Sequence, residues 1–476
     1  MQKGLLILVL LAYVTLLSAQ KKIAGIWEGK LNAGNISLRM VFHIEKQSEK
    51  CYSASMDSPD QGVKDILCDS VIVNGDSIIV ILKGSTRLKG LLAGDSTING
   101  NWEQRGMTFP IDLKKVNEVS KNPNRPQTPL PPFTYNSEDI EYDNPDKSIH
   151  YGATFTYPKG DGPFPTAILI TGSGQQDRDE TILGHKPFAV IADYLTKKGY
   201  AVLRVDDRGM GKSTGDVINS TSLDFAGDVE VGLAYLKERK EVDKKRMGLI
   251  GHSEGGLIAD IVAARNKDIN FVIMLAGPGV KGSDILVKQN ADILKSDSVP
   301  DEALKAYEVL YKKIMEDVIA AKDSSTSYNK LWVDFSAWKK SQSHDILTTL
   351  NISSDSIGNG VFLKKFEHAF ASPWIRYFMQ ADPQPLIEKF TCKVLALDGS
   401  KDLQVNAEIN LAAINKALKK SKSPSFETKE LPGLNHLFQH CSKCTLDEYA
   451  TIEETFAPEV LDIIGQWLDK NVKPIK

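Results

Sequence analysis

The chain has 476 residues, 42% of them hydrophobic and 25% charged, and a formal net charge of −3. That length holds two or three domains of ordinary soluble globular composition. With no long block of like charge, nothing in the balance suggests a nucleic-acid binder, and none is expected.

At the N-terminus Lys3 precedes the apolar run Leu5–Leu17, and Ser18-Ala19-Gln20 follows. A basic start, an apolar stretch and a small residue predict a secretory signal peptide over residues 1–19, and hence an exported, periplasmic or secreted protein. The run is too short to span a bilayer, and no stable membrane span is expected once it is removed. No Cys follows it, which argues against a lipid anchor. Export makes disulfides permissible. Cys51 and Cys68 could join neighbouring strands, and Cys441 and Cys444 form a C-x-x-C that reads as a local disulfide or two free thiols. One such pair falls short of the four ligands a structural zinc needs, so no metal is expected.

Residues 20–116 read as all-β. Short alternating runs at Ile36–Ile44, Ser77–Leu82 and Met107–Leu113 are separated by Gly, Asn and Asp. Gly25-Ile26-Trp27-Glu28 is echoed about 75 residues later by Gly100-Asn101-Trp102-Glu103. Two such strands near the two ends suggest a small barrel or sandwich closing on itself. His43 lies within a strand and reads as structural. Five prolines between Asn122 and Phe133 mark residues 117–135 as an extended linker.

Residues 136–476 alternate strand and helix. Thr166–Ile170, Ala201–Val205, Met247–Ile250, Phe271–Leu275 and Lys393–Leu397 are short apolar runs, with helical stretches such as Pro187–Lys198 and Ser222–Lys237 between them. This predicts a mostly parallel sheet covered on both faces. The alternation stops over about 280–387, which reads as an inserted helical cap. Trp332, Phe335, Trp338, Phe362, Phe366, Phe370 and Trp374 are expected to form mainly the core of that cap. Its acids Glu316, Asp317 and Asp334 are interleaved with lysines and read as a solvated face.

Gly251-His252-Ser253-Glu254-Gly255-Gly256 matches G-x-S-x-G after a strand and before an apolar helix. That context presents Ser253 as a nucleophile on a tight turn, with the next helix's N–H groups aimed at developing negative charge. The oxyanion donors are expected to be the backbone amides of Glu254 and of Ser173, in the loop Thr171-Gly172-Ser173-Gly174, with Gly174 the rival. The acid and base should follow in that order. Asp402, on the loop beyond Lys393–Leu397, is preferred to Asp398 at the strand end, and His436, in Leu431–His436, is preferred to His440. The remaining histidines read as structural. Asp207-Arg208-Gly209-Met210-Gly211-Lys212-Ser213 lacks the first glycine of a phosphate loop, so Arg208 is expected to pair with a carboxylate, Asp177 and Asp179 being candidates.

The Thr-Gly-Ser-Gly loop, Asp206–Ser213, Gly-His-Ser-Glu-Gly-Gly, Gly399–Val405 and Asn435–Gln439 together resemble a family of bacterial α/β-hydrolases, labelled carboxylesterases or grouped with serine aminopeptidases and monoglyceride lipases. The resemblance runs from about Ser137 to Lys476, and Met56–Gly62 is similar to an accessory domain fused to such enzymes. It implies an α/β-hydrolase fold and hydrolysis of a small-molecule ester through Ser253, His436 and Asp402, with no cofactor. A peptidase using the same triad and an inactive binding protein are the alternatives.

Overall fold

The computed structural model describes residues 23–33, 36–48, 51–61, 63–82, 86–104, 107–120, 124–321 and 324–473. The N-terminal segment read as a signal peptide lies outside them. Among the described residues no helix is long and apolar enough to cross a membrane. The chain divides into two compact units, one up to residue 122 and one from residue 123.

The first unit contains β1 (Gly25–Ala33), β2 (Ile36–Lys46), β3 (Tyr52–Ser58), β4 (Val63–Leu67), β5 (Ser70–Asn74), β6 (Ser77–Ile81), β7 (Arg87–Ala93), β8 (Thr97–Gln104) and β9 (Met107–Val116). The order β2-β1-β9-β8-β7-β6-β5-β3, with β3 returning to pair with β2, closes an antiparallel barrel, and β4 adds to β3. Of the two architectures expected, the barrel is the one formed. The strands carrying Trp27 and Trp102 are not paired to each other; β9 lies between them. Period-2 alternation turns Trp27, Phe42, Met56, Ile78, Val80, Leu88, Ile98, Trp102 and Leu113 inward, where they fill the interior. The side chain of His43 meets Asp57 at 2.9 Å. Cys51 and Cys68 are both free thiols, so the disulfide considered between them is not made.

The second unit is built on β10 (Asn136–Asp143), β11 (His150–Tyr157), β12 (Phe164–Ile170), β13 (Ala201–Val205), β14 (Val242–His252), β15 (Ile269–Leu275), β16 (Lys393–Gly399) and β17 (Phe426–Leu431). They form one sheet in the order β10-β11-β13-β12-β14-β15-β16-β17. β11 runs antiparallel to both its neighbours, and β12 to β17 are parallel. The crossovers are α1 (Pro187–Lys197), α2 (Ser222–Glu238), α3 (Glu254–Arg265) and, between β16 and β17, α11 (Ala407–Leu418); α12 (Pro458–Asn471) ends the fold. Between β15 and β16 lie α4 (Gly282–Ser296), α5 (Asp301–Ala320), α6 (Ser324–Lys340), α7 (His344–Thr349), α8 (Ser356–Ala369), α9 (Pro373–Gln380) and α10 (Gln384–Ile387).

Alternation along each strand feeds two cores, one per face. Leu169, Ile273 and Leu397 pack with Phe188 and Leu195 of α1 and Ile464 and Leu468 of α12. Ile168, Val272 and Ala396 pack with Leu233 of α2, Leu257 and Val262 of α3 and Ile414 of α11. The proline-rich segment is not a free tether over its whole length. Arg125 donates to the carbonyls of Leu183 and Ala450, and Gln127 exchanges hydrogen bonds with the backbone of Thr455 and Phe456.

Within α3, Asp260 is fully buried, and neither carboxylate oxygen has a hydrogen-bond partner among the described residues. Burial pushes its carboxyl well above the usual range. The folded chain therefore keeps a proton there that the unfolded chain releases near the ordinary value, and stability falls as pH rises above it. Asp260→Leu removes both the unpaired polar group and this dependence. We expect it to stabilise the fold by about 2 kcal/mol, with a larger gain in Tm at about pH 8 than at about pH 5. A lower Tm at both pH values would contradict this reading of the site.

Candidate active site

β14 ends at His252 and α3 begins at Glu254, so Ser253 alone makes the turn from strand to helix. Its backbone sits at φ 53° and ψ −122°. A non-glycine residue there costs about 1–3 kcal/mol and persists only where the surroundings fix it. They do so here: the Ser253 N–H donates to the Leu275 carbonyl at 2.8 Å, and the Ser253 carbonyl accepts from Gly256 N–H at 2.8 Å. A Cβ on Gly251 would lie 2.1 Å from the Gly255 carbonyl oxygen, and one on Gly255 would lie 2.2 Å from that of Ile170. Both glycines of the motif are therefore steric requirements of the turn.

His436 follows β17 and Asp402 follows β16. His436 Nδ1 lies 2.6 Å from Asp402 Oδ2, and both side chains are buried. The other Asp402 oxygen accepts the N–H groups of Gln404 and Val405 at 2.6 and 2.8 Å, which holds the carboxylate in place. Asn435 locks the turn before the histidine, its Oδ1 accepting from Leu437 N and Gln439 N and its amide donating to Gln439 Oε1. Asp398 has no hydrogen bond to the ring; its Oδ1 accepts Gly399 N–H at 2.8 Å. It is buried, and burial followed by the charge of Asp402 pushes its carboxyl well above the usual range. His440 sits outside, paired to Glu454 and Glu459 on the surface. The C-x-x-C beyond it is a disulfide, and Glu448 accepts the N–H groups of Ser442, Lys443 and Cys444 around it.

Ser253 and His436 line one cavity of about 230 Å³ together with Gly172 and Ser173. Gly172 N–H is already bonded to Glu180 Oε1 at 2.7 Å. Gly174 turns at φ 100° and borders a different cavity, so Ser173 is the residue of the rival pair beside Ser253. The side chain of Glu254 points away from solvent. Its carboxylate accepts from Ser222 Oγ at 2.6 Å and from Trp374 Nε1 at 2.8 Å.

Trp374 and Phe378 of α9, Ile285 and Leu286 of α4, Val405 and Leu437 give the cavity its apolar walls. Of the cap aromatics singled out above, only Trp374 is there. Phe335, Trp338, Phe362, Phe366 and Phe370 pack on one another inside the cap in tilted and edge-to-face pairs. Of the cap acids, Glu316 is exposed as expected and Asp334 half-buried, but Asp317 is buried against Lys313 and Lys330. Arg208 does pair with a carboxylate, but it is Asp228, in a fork of two 2.7 Å bonds. Asp179 is taken by Arg204 instead, and Asp177 caps its own turn through the N–H groups of Asp179 and Thr181.

A family model described as serine aminopeptidase, S33, matches residues 186–330, which include the turn at Ser253. Esterase EstD of Thermotoga maritima is 36% identical over 134 residues, 28% of this chain and 32% of that protein. The putative hydrolase YtaP of Bacillus subtilis is 32% identical over 158 residues, 29% of this chain and 52% of that one. The second unit has the α/β-hydrolase fold. It spans about a third to a half of the length of these curated relatives. Among solved structures, an esterase of Pyrococcus furiosus aligns over 75% of this chain and all of its own, with 16% identity and a TM-score of 0.43.

Two residues of this site escaped the motif reading. Trp374 could be found as a cap aromatic but not singled out from its neighbours. Glu180 sits in a loop with no motif of its own and enters the site only because Asp177 folds that loop inward.

Burial raises the Glu254 carboxyl above its ordinary value, and its donors oppose that shift. Trp374→Phe removes one donor and keeps the ring's bulk. The loss should be about 1 kcal/mol where Glu254 is protonated and about 2 kcal/mol where it is ionised. The gap in Tm between native and W374F should therefore widen as pH rises through the folded-state value. A gap independent of pH would show that the indole N–H does not serve the carboxylate.

Proposed function

We propose that this hydrolase cleaves carboxylic esters through an acyl-enzyme on Ser253, with His436 as general base and Asp402 as its orienting acid. One observation carries the reading: His436, 2.6 Å from Asp402, shares a cavity with a serine held on a strained strand-to-helix turn. With Asp402 on Nδ1, the Nε2 of His436 is left to take the Ser253 proton as Oγ attacks the carbonyl carbon. The tetrahedral oxyanion is held by the amides of Glu254, at the start of α3, and Ser173. Collapse expels the alcohol, which receives the proton from His436. Water then attacks the acyl-enzyme with His436 again as base, and Ser253 is restored.

An ester is favoured over a peptide by what walls the cavity. Ile285, Leu286, Phe378, Val405 and Leu437 suit an apolar acyl group. An aminopeptidase needs a carboxylate open to the substrate's ammonium group. The acids nearest Ser253, Glu180 and Glu254, already take hydrogen bonds from Gly172, His252, Ser222 and Trp374. The apolar run behind Lys3 and the Cys441–Cys444 disulfide support export to an oxidising compartment.

Ser253→Ala should abolish labelling by a fluorophosphonate and lower kcat on the order of 10⁴-fold or more while the fold persists. Asp402→Asn should lower kcat on the order of 10⁴-fold, and Asp398→Asn far less. Undiminished labelling of the alanine variant, or the reverse ranking of the two aspartates, would refute the assignment. For the substrate class, kcat/KM for a short-chain nitrophenyl ester should exceed that for an aminoacyl nitroanilide by more than about tenfold. Equal constants would move the protein to the peptidases.

A further inference from the structure

Beside the Asp402–His436 pair lies a second buried histidine–carboxylate pair. His252, the residue before Ser253, has its Nδ1 2.9 Å from Glu180 Oε1 and its Nε2 3.0 Å from the carbonyl oxygen of His436. The same Glu180 oxygen accepts Gly172 N–H at 2.7 Å. We propose that Glu180 and His252 are positioning residues which, as a buried ion pair, brace the oxyanion loop and the base-bearing loop against the nucleophile turn. The proposal rests on the catalytic roles given to Ser253, Ser173 and His436 above.

The proton count follows from the partners. A carbonyl oxygen only accepts, so Nε2 of His252 must carry a proton. At Nδ1 the partner is a carboxylate oxygen already accepting one N–H, a setting that stabilises the anion and draws a second proton onto the ring. The imidazolium is thus compensated by Glu180, despite burial among Phe188, Ile191, Leu275, Leu437 and Phe456. The other ionisable groups acting on the ring are Asp402, whose charge favours the cation, and the His436 ring, 4.8 Å away centre to centre. Burial opposes the charge on His252, and Glu180 outweighs it, holding the ring above the ordinary histidine value.

The placement is what gives the pair a catalytic consequence. Gly172 adjoins Ser173, His252 adjoins Ser253, and the third contact is the backbone of His436 itself. Each of the three chain segments that must meet in the transition state is held one residue, or less, from its reacting group. Glu180 is presented by a backbone at φ 53°, on the turn that Asp177 caps. A neutral glutamine cannot replace it in full. A neutral His252 that keeps Nε2–H presents a lone pair at Nδ1, which the amide NH₂ would have to satisfy. Turning the NH₂ to the ring takes Oε1 from Gly172.

The test uses the full chain with E180Q, H252Q and the double variant, assayed on a nitrophenyl ester and by fluorophosphonate labelling. Misplacing reacting groups without removing them should lower kcat on the order of 100-fold and leave KM within about twofold. All three variants should still label at Ser253, more slowly than native. Because the two residues act as one link, the double variant should lose no more than the worse single. Folded single variants with native kcat, a loss carried by KM, or losses that multiply in the double would each overturn the proposal. A native chain that neither hydrolyses the ester nor labels would instead refute the serine-hydrolase reading. Should E180Q or H252Q fail to fold, the proton itself decides. Among the described residues only His252 and His436 pair a buried ring nitrogen with a carboxylate. D402N should therefore keep one strongly downfield imidazole N–H proton resonance at pH values above the ordinary histidine range. Its absence would overturn the brace.

Discussion

The backbone at Ser253 is the constraint from which the rest of the second unit's site takes its form. A left-handed φ at a serine is held only because β14 and α3 arrive there from fixed directions, and both are anchored by burial. β14 is hydrogen-bonded between β12 and β15, and ten residues of α3 are buried, Leu257, Ile258, Ile261 and Val262 among them. The turn leaves no room for a Cβ at Gly251 or Gly255. The price of the strain is thus met by the core, and it yields a serine that cannot retreat into the helix. Every other element of the site is placed relative to this point by the order of parallel strands. β12, on one side of β14, delivers the loop with Ser173; β16 and β17, on the other, deliver Asp402 and His436.

Charge is managed around that turn by burial rather than by solvent. Three carboxylates lie around the loop 171–174. Asp207 takes Thr171 Oγ1 and Gln176 N, Glu180 takes Gly172 N, and Glu254 heads the helix α3 that follows Ser253. Their neighbours differ in kind. Glu180 faces a histidine that can carry the compensating proton, whereas Asp207 and Glu254 have neutral donors only, and burial raises both carboxyls. An oxyanion forming beside this loop would be repelled by three full negative charges. Raising two of their carboxyls above the ordinary value and pairing the third with His252 lessens that repulsion while the hydrogen bonds that shape the loop are kept.

The readability of this architecture from sequence follows the range of the forces involved. Alternation in β1 to β9 and the apolar runs of the second unit are local patterns, so they expose the β-domain and the parallel sheet. Whether the β-domain closes is not local: it depends on β2 meeting β3 and β9 meeting β1, pairings that no single segment encodes. Gly251, Ser253 and Gly255 are legible because sterics tie them together over five residues. Asp402 over Asp398 is legible because only a residue beyond the strand end can reach the next loop. Glu180 is not, since its role arises from a turn that folds back onto a histidine 72 residues away. Arg208 shows the same limit. Its need for a carboxylate is evident from its chemistry, but the choice of Asp228 over Asp179 is made by the packing of α2.

The cap illustrates how few of its residues touch the chemistry. Its aromatic side chains are spent mainly on one another, because a layer of helices lying outside a sheet must bury its own apolar stripe. Trp374 departs from that pattern. It sits one residue into α9, behind Ser372, whose side chain caps the helix by accepting from Ile375 N. The cap thereby aims the indole at Glu254 while Phe378, one turn further on, closes the wall of the cavity. Glu254 thus joins two pieces through one carboxylate: Ser222 at the start of α2 and Trp374 in the cap. Since its own backbone begins α3, that carboxylate ties the inserted helices to the residue beside Ser253 through a hydrogen bond whose strength depends on the ionisation of a buried acid.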